Sequence, residues 1–216
     1  YAAGGGVTTG VNNTLIGGLA GDALTDADNN VAIGTLALSS ETNNNGNTAV
    51  GSEALKTQNV GGGGDARNTA VGQLAGAAVT TGVQNTLIGA LAGDAITSAA
   101  NNTAVGYLSL SANTTGASNV AVGKGALVAN TTAANNVAVG FASLDANTTG
   151  TINVAVGTNA LGSNTTANAN TAIGEIALGA NTTGANNVAV GANALDANTT
   201  GERNTSVGTS SLTTNT

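Results

Sequence analysis

Asn136-Val137-Ala138-Val139-Gly140 is the stretch that decides the fold, because the chain repeats it from end to end. Its asparagine recurs at Asn13, Asn30, Asn47, Asn68, Asn85, Asn102, Asn119, Asn136, Asn153, Asn170, Asn187 and Asn204. Its glycine recurs at Gly17, Gly34, Gly51, Gly72, Gly89, Gly106, Gly123, Gly140, Gly157, Gly174, Gly191 and Gly208. Ten of the eleven spacings are 17 residues, and the exception, Gly51 to Gly72, is 21 and contains the run Gly61 to Gly64. A fixed period of this length is the mark of a stacked-repeat architecture. The longer step reads as one lateral loop, and residues 1–216 read as a single repeat domain of about twelve coils.

The repeat is a poor helix, since every copy carries glycine and the chain is rich in Asn and Thr. Alternation of β-branched residues, as at Val137 and Val139, fits a short strand. The expected fold is all-β, a parallel β-solenoid or β-roll. Each coil adds about 4.8 Å, so twelve make a rod of roughly 55 Å.

With Asn as position 1 and Gly as position 5, the other columns follow. Position 4 is always Val or Ile, position 8 always Ala or Ser, and position 9 is Leu in nine coils and Gly in three. Positions 12 to 15 often read Asn-Thr-Thr-Gly, as at Asn113 to Gly116. Stacked Asn side chains are expected to bond amide to amide along the axis. The glycines are expected at a corner with positive φ, or where backbones approach closely. Both columns are read as structural, the Asn as a ladder and the Gly as corners.

One exchange inside the repeat is informative. Gly21, Gly76 and Gly93 replace Leu at position 9, and only those coils carry an aliphatic residue at position 12: Leu24, Val79 and Ile96. The nine Leu coils have Asn, Gln or Glu there. The expectation is one core slot filled from two places, with the chain bending at Gly. Leu24, Val79 and Ile96 should then be buried, and Asn113, Asn147 and Asn181 more exposed or satisfied by backbone at a turn.

Composition narrows the function. Ala, Gly, Asn and Thr make 140 of 216 residues, so side chains are small and the core is thin. Such a core is marginal against ordering entropy, and alanine at position 3 in nine coils is expected to let neighbouring chains approach. His, Cys, Met, Pro and Trp are missing, which removes the imidazole base, the thiolate nucleophile, the ordinary zinc site and disulfides. No enzyme activity, cofactor or metal is expected. Only 7% of residues are charged, with a net charge of −7, so no nucleic-acid footprint exists and no segment reads as inserting into a membrane.

Asn187-Val188-Ala189-Val190-Gly191, Ala194-Leu195 and Asn198-Thr199-Thr200-Gly201 resemble repeats of bacteriophage tail fibres, as does Thr86-Leu87-Ile88-Gly89 with Leu91 to Ile96. The pentapeptide is also similar to the head repeats of trimeric autotransporter adhesins. The resemblance covers nearly the whole chain and implies a left-handed parallel β-roll, three chains to a fibre. It implies a virion or cell-surface location, with a host cell-surface glycan or protein as partner. A tail-fibre shaft or receptor-binding segment is the first reading, and an adhesin head the second. A self-assembling extracellular filament or ice-binding solenoid is the third. A monomeric solenoid stays open beside the homotrimer.

Thr8–Thr25 and Thr80–Thr97 are near copies 72 residues apart, so a four-coil block was duplicated. The chain starts and stops inside coils and reads as part of a longer fibre. Few residues suggest chemistry. Asp22, Asp94, Asp145 and Asp196 recur at position 10 as isolated carboxylates, too few for a calcium site and expected to act as exposed solubilising charge. Glu41 and Glu53 have no fixed spacing as an acid/base pair. The glycine run lacks the Lys-Ser/Thr of a phosphate loop and reads as flexible, with Asp65 and Arg67 beside it as a weak surface pair. Asn113-Thr114-Thr115 and its copies are glycosylation sequons.

Overall fold

The computed structural model describes residues 2–214. The chain forms two compact units, Tyr1–Tyr107 and Leu108–Thr216. In the first, β1 (Thr14–Ile16), β2 (Val31–Ile33), β3 (Thr48–Val50), β4 (Thr69–Val71), β5 (Thr86–Ile88) and β6 (Thr103–Val105) pair in chain order. In the second, β7 (Val120–Val122), β8 (Val137–Val139), β9 (Val154–Val156), β10 (Thr171–Ile173), β11 (Val188–Val190) and β12 (Thr205–Val207) do the same. Every pairing is parallel, with partners 17 residues apart, as in Val137↔Val154, and 21 apart in Thr48↔Thr69. Each unit is therefore a parallel β-solenoid, and no helix occurs among the described residues.

Each strand lies between two backbone ladders. The Val137 amide donates to Asn153 O of the following coil, and the Gly140 amide donates to Val122 O of the preceding one, both at 2.8 Å. Side chains alternate across the strand. Position 3 is buried in every coil but the first, where Leu15 is half-buried, while positions 2 and 4 are half-buried or exposed. This corrects the expectation for alanine. Ala121, Ala138 and Ala155 fill the lumen of their own coil and offer nothing to a neighbouring chain. The β-branched residues face outward.

The stretch that follows each corner glycine, through positions 6 to 11, is a turn. Ala37 N donates to Gly34 O at 3.3 Å, and Leu38 N crosses to Ala54 O of the next coil at 3.0 Å. Leu38 and Leu144 sit in the left-handed region, with φ 52° and 53°. That conformation costs an L-residue about 1–2 kcal/mol. Crossing hydrogen bonds and complete burial of the leucine offset it. Where position 9 is leucine, that residue thus supplies most of the core, through Leu38 and Leu55 in the first unit and Leu110, Leu127, Leu144, Leu161, Leu178 and Leu195 in the second.

Leu24, Val79 and Ile96 are fully buried. A Cβ on Gly93 would lie 2.8 Å from Ile96 Cδ1 and 2.8 Å from Leu87 Cδ2, so the vacated space is taken from position 12 and also from position 3. Gly21 repeats the arrangement with Leu24 and Leu15. The expected bend at glycine is absent, because φ is 55° at Gly21 and 52° at Leu38. The backbone keeps its course and only the source of the filling atoms changes. Asn113, Asn147 and Asn181 are not more exposed but buried, and backbone at a turn does satisfy them.

Gly140 shows why position 5 admits no side chain. Its φ is 135°, and an added Cβ would lie 2.6 Å from Gly157 O of the next coil. The corner backbones stack too closely for any other residue.

Candidate functional site

The Asn column is buried along both units, with the end members Asn13 and Asn204 half-exposed. Its most regular bond differs from the expected amide-to-amide contact. Within each unit the backbone N–H of each Asn donates to Oδ1 of the preceding one, as from Asn153 to Asn136 at 2.9 Å and from Asn47 to Asn30 at 2.9 Å. The side-chain amide reaches Oδ1 too, at 3.2 Å from Asn153. Its shorter bond runs across its own coil to the carbonyl 14 residues on, from Asn136 to Gly150 and from Asn153 to Ala167, both at 2.8 Å. Asn136 and Asn153 thus tie strand to turn within a coil and one coil to the next. The column is internal and presents nothing to a ligand.

Position 12 carries a second Asn ladder in the second unit. Asn130 donates to Asn113 Oδ1 at 2.9 Å and to Ala133 O at 3.1 Å, and Asn147, Asn164, Asn181 and Asn198 repeat the step. These asparagines belong to the sequons. Buried and doubly bonded, Asn130, Asn147, Asn164 and Asn181 are closed to a glycosylating enzyme. The threonines at position 13 form a third ladder, with hydroxyls donating to the next coil, as from Thr131 to Thr148 O at 3.1 Å. At position 14, Thr115, Thr132, Thr149, Thr166, Thr183 and Thr200 are exposed.

In the first unit, position 12 holds Glu41 and Gln58, both fully buried. Glu41 Oε1 accepts the backbone amides of Thr42, Asn43 and Asn44, and Oε2 accepts Gln58 Nε2 at 3.2 Å. Glu53 instead pairs with Lys56 at 2.8 Å, so the two glutamates serve different partners. Asn44 stands where regular coils have Gly or Ala and bonds the glycine loop. Reading the repeat missed this set, although its signal was three departures from the columns, all next to the one irregular spacing. Asp65 and Arg67 form their exposed ion pair.

The position-10 aspartates are not fully exposed. Asp22, Asp94 and Asp196 each bury one carboxylate oxygen without a hydrogen-bond partner. Burial pushes the carboxyls of Asp94 and Asp145 above the usual range, against the lowering pull of backbone amides. Among the described residues no group of three or more His, Cys, Asp or Glu could hold a metal ion. They contain no helix long and apolar enough to cross a membrane.

The outer face of the strands remains. In the second unit it presents Val120 and Val122, Val137 and Val139, and Val154 and Val156 as two parallel columns. In the first unit position 2 is mostly Thr, beside Ile16, Ile33, Val50, Val71, Ile88 and Val105. No coil has a charge at either position. Ile16 is 57% exposed and Ile173 41%. Lys124 Nζ lies 5.8 Å from the ring centre of exposed Phe141, both at position 6. No protein-family model matches the chain, and neither does any curated protein or solved structure.

Proposed function

We propose that the chain is a structural and adhesive segment of an extracellular or virion fibre, a phage tail-fibre shaft or receptor-binding region, working as a parallel homotrimer. One observation carries the reading. Each coil closes its own core, and yet the strands turn uncharged columns of Val and Ile outward. Aliphatic columns that their own chain does not need, in a chain of net charge −7, suit contact with further copies. The resemblance of Asn187 to Gly201 to tail-fibre repeats supports three copies and the fibre role. The head of a bacterial surface adhesin fits the same outward columns and stands as the second reading. A cell-surface glycan or protein is the partner either would engage.

Light scattering of the purified chain tests the assembly. The expected result is three chains per particle, and a folded but monomeric Val139→Lys/Val156→Lys variant. A wild-type chain that stays monomeric while fully folded contradicts the reading. Adhesion is tested by sedimenting labelled trimer with intact bacterial cells, where no retention by any strain tested counts against the adhesive role.

A further inference from the structure

We propose that the glycine loop of the first unit is held by an acid-sensitive clamp, in which the buried Glu41 carboxylate fixes residues 42–44 and Asn44 fixes the loop. Asn44 grips both ends of the glycine run. Its Oδ1 accepts the Val60 amide at 3.1 Å, and its Nδ2 donates to Gly64 O at 3.2 Å. The adjoining Asn45 amide donates to the same Gly64 O at 2.8 Å. The loop itself offers little resistance to opening, since a Cβ added at Gly61, Gly62 or Gly64 would touch nothing within 4 Å. Its position therefore rests on Asn44 and Asn45, and Glu41 holds the backbone of Asn44 in turn.

Glu41 can do this only as an acceptor. Oε1 takes three amides, from Thr42 at 2.9 Å, Asn43 at 3.2 Å and Asn44 at 3.0 Å. Oε2 takes Gln58 Nε2, and Gln58 Oε1 in turn takes Asn68 Nδ2 at 3.0 Å. A proton on Oε1 would face three N–H donors. A proton on Oε2 would face the Gln58 amide. Rotating that amide would set Gln58 Nε2 against Asn68 Nδ2, which already donates to Gly82 O at 2.8 Å. Each of these arrangements opposes donor to donor, and turning the new O–H aside takes it away from Gln58, the one side chain bonded to Oε2; either is costly in a buried site. The preceding coil carries Asp22, Asp26 and Asp28, and the following one Glu53, Lys56, Asp65 and Arg67. None of them bonds Glu41, and the two cations are spent on Glu53 and Asp65.

Hydrogen exchange of the whole chain, corrected for the intrinsic effect of pH, tests the clamp. Protection of residues 42–46 and 59–66 should fall about tenfold on acidification, the equivalent of one net hydrogen bond, while residues 136–156 stay protected. Glu41→Gln, which cannot present the four-acceptor carboxylate, should show the lowered protection already at neutral pH. Glu41→Asn supplies the residue that position 12 carries throughout the second unit's ladder, so it should fold and lose the pH response. Unchanged wild-type protection on acidification overturns the proposal, as does a Glu41→Asn chain that opens with acid as the wild type does.

Discussion

Replacing Asn136 with Ala removes a small number of countable bonds. Asn136 Oδ1 accepts the Asn153 backbone amide at 2.9 Å and Asn153 Nδ2 at 3.2 Å, and Asn136 Nδ2 donates to Gly150 O at 2.8 Å. Two of the three partners have a second bond. Asn153 Nδ2 keeps Ala167 O at 2.8 Å, and Gly150 O keeps Asn147 Nδ2 at 3.0 Å. The Asn153 backbone amide is the one group orphaned in a buried site. An unsatisfied buried donor costs about 1–3 kcal/mol and a lost net hydrogen bond about 1 more, giving about 2–4 kcal/mol in all. Amide exchange at Asn153 is the sharpest assay, because it reads the orphaned group itself. Protection there should collapse in Asn136→Ala while Val139 stays protected. Asn198 provides the internal contrast. Its Oδ1 has no partner, so Asn198→Ala orphans no donor and should cost clearly less. Equal protection of Asn153 in wild type and Asn136→Ala would refute the ladder as an energetic device.

Three further outcomes are expected. Ile96→Ala, which empties the slot shared with Leu87 and the Gly93 backbone, should cost about 2–5 kcal/mol by denaturant titration, and a cost below about 1 would mean the slot collapses freely. Gly140→Ala combines a φ of 135° with a Cβ 2.6 Å from a backbone oxygen and should lower the melting midpoint, whereas Gly125→Ala, with nothing within 4 Å, should be far milder. Asp94 and Asp145 hold raised carboxyl pKa values, so the folded chain binds these protons more tightly than the unfolded chain. Their contribution is fully present below the unfolded carboxylate range and is lost as pH rises through the folded values. Asp94→Ser, measured against wild type by denaturation across pH, should flatten that slope, and an unchanged slope contradicts the assignment.

How much of this was legible in the repeat differs from column to column. The period alone places a parallel strand at Val137–Val139 and a corner at Gly140, because only stacked coils keep so exact a spacing. Which side of the strand faces the core was not legible. Alternation gives parity but not sign, and the usual guide, large residues inside, fails here. The lumen is narrow enough to be filled by one leucine with Ala138, Ser143 and Asn136, so valine is turned out. The exchange between Leu at position 9 and an aliphatic at position 12 was visible as covariation within one chain. The left-handed leucines were not, since nothing in the identity of Leu144 announces a φ of 53°. The role of Glu41 was hidden for a different reason. It depends on three amides of its own neighbours, and backbone partners leave no mark in the letters of a sequence.

The side-chain bonds of the Asn column all run one way. Within each unit Oδ1 accepts from the coil that follows, as Asn30 does from Asn47 and Asn136 from Asn153. A block of whole coils therefore carries a matching plug on one cut surface and a matching socket on the other. Recombination at equivalent codons can splice such a block in or out without any compensating substitution, as the near-identical segments Thr8–Thr25 and Thr80–Thr97 record. The heritable part of this protein is the coil, and its length is a number that a genome can change in a single event.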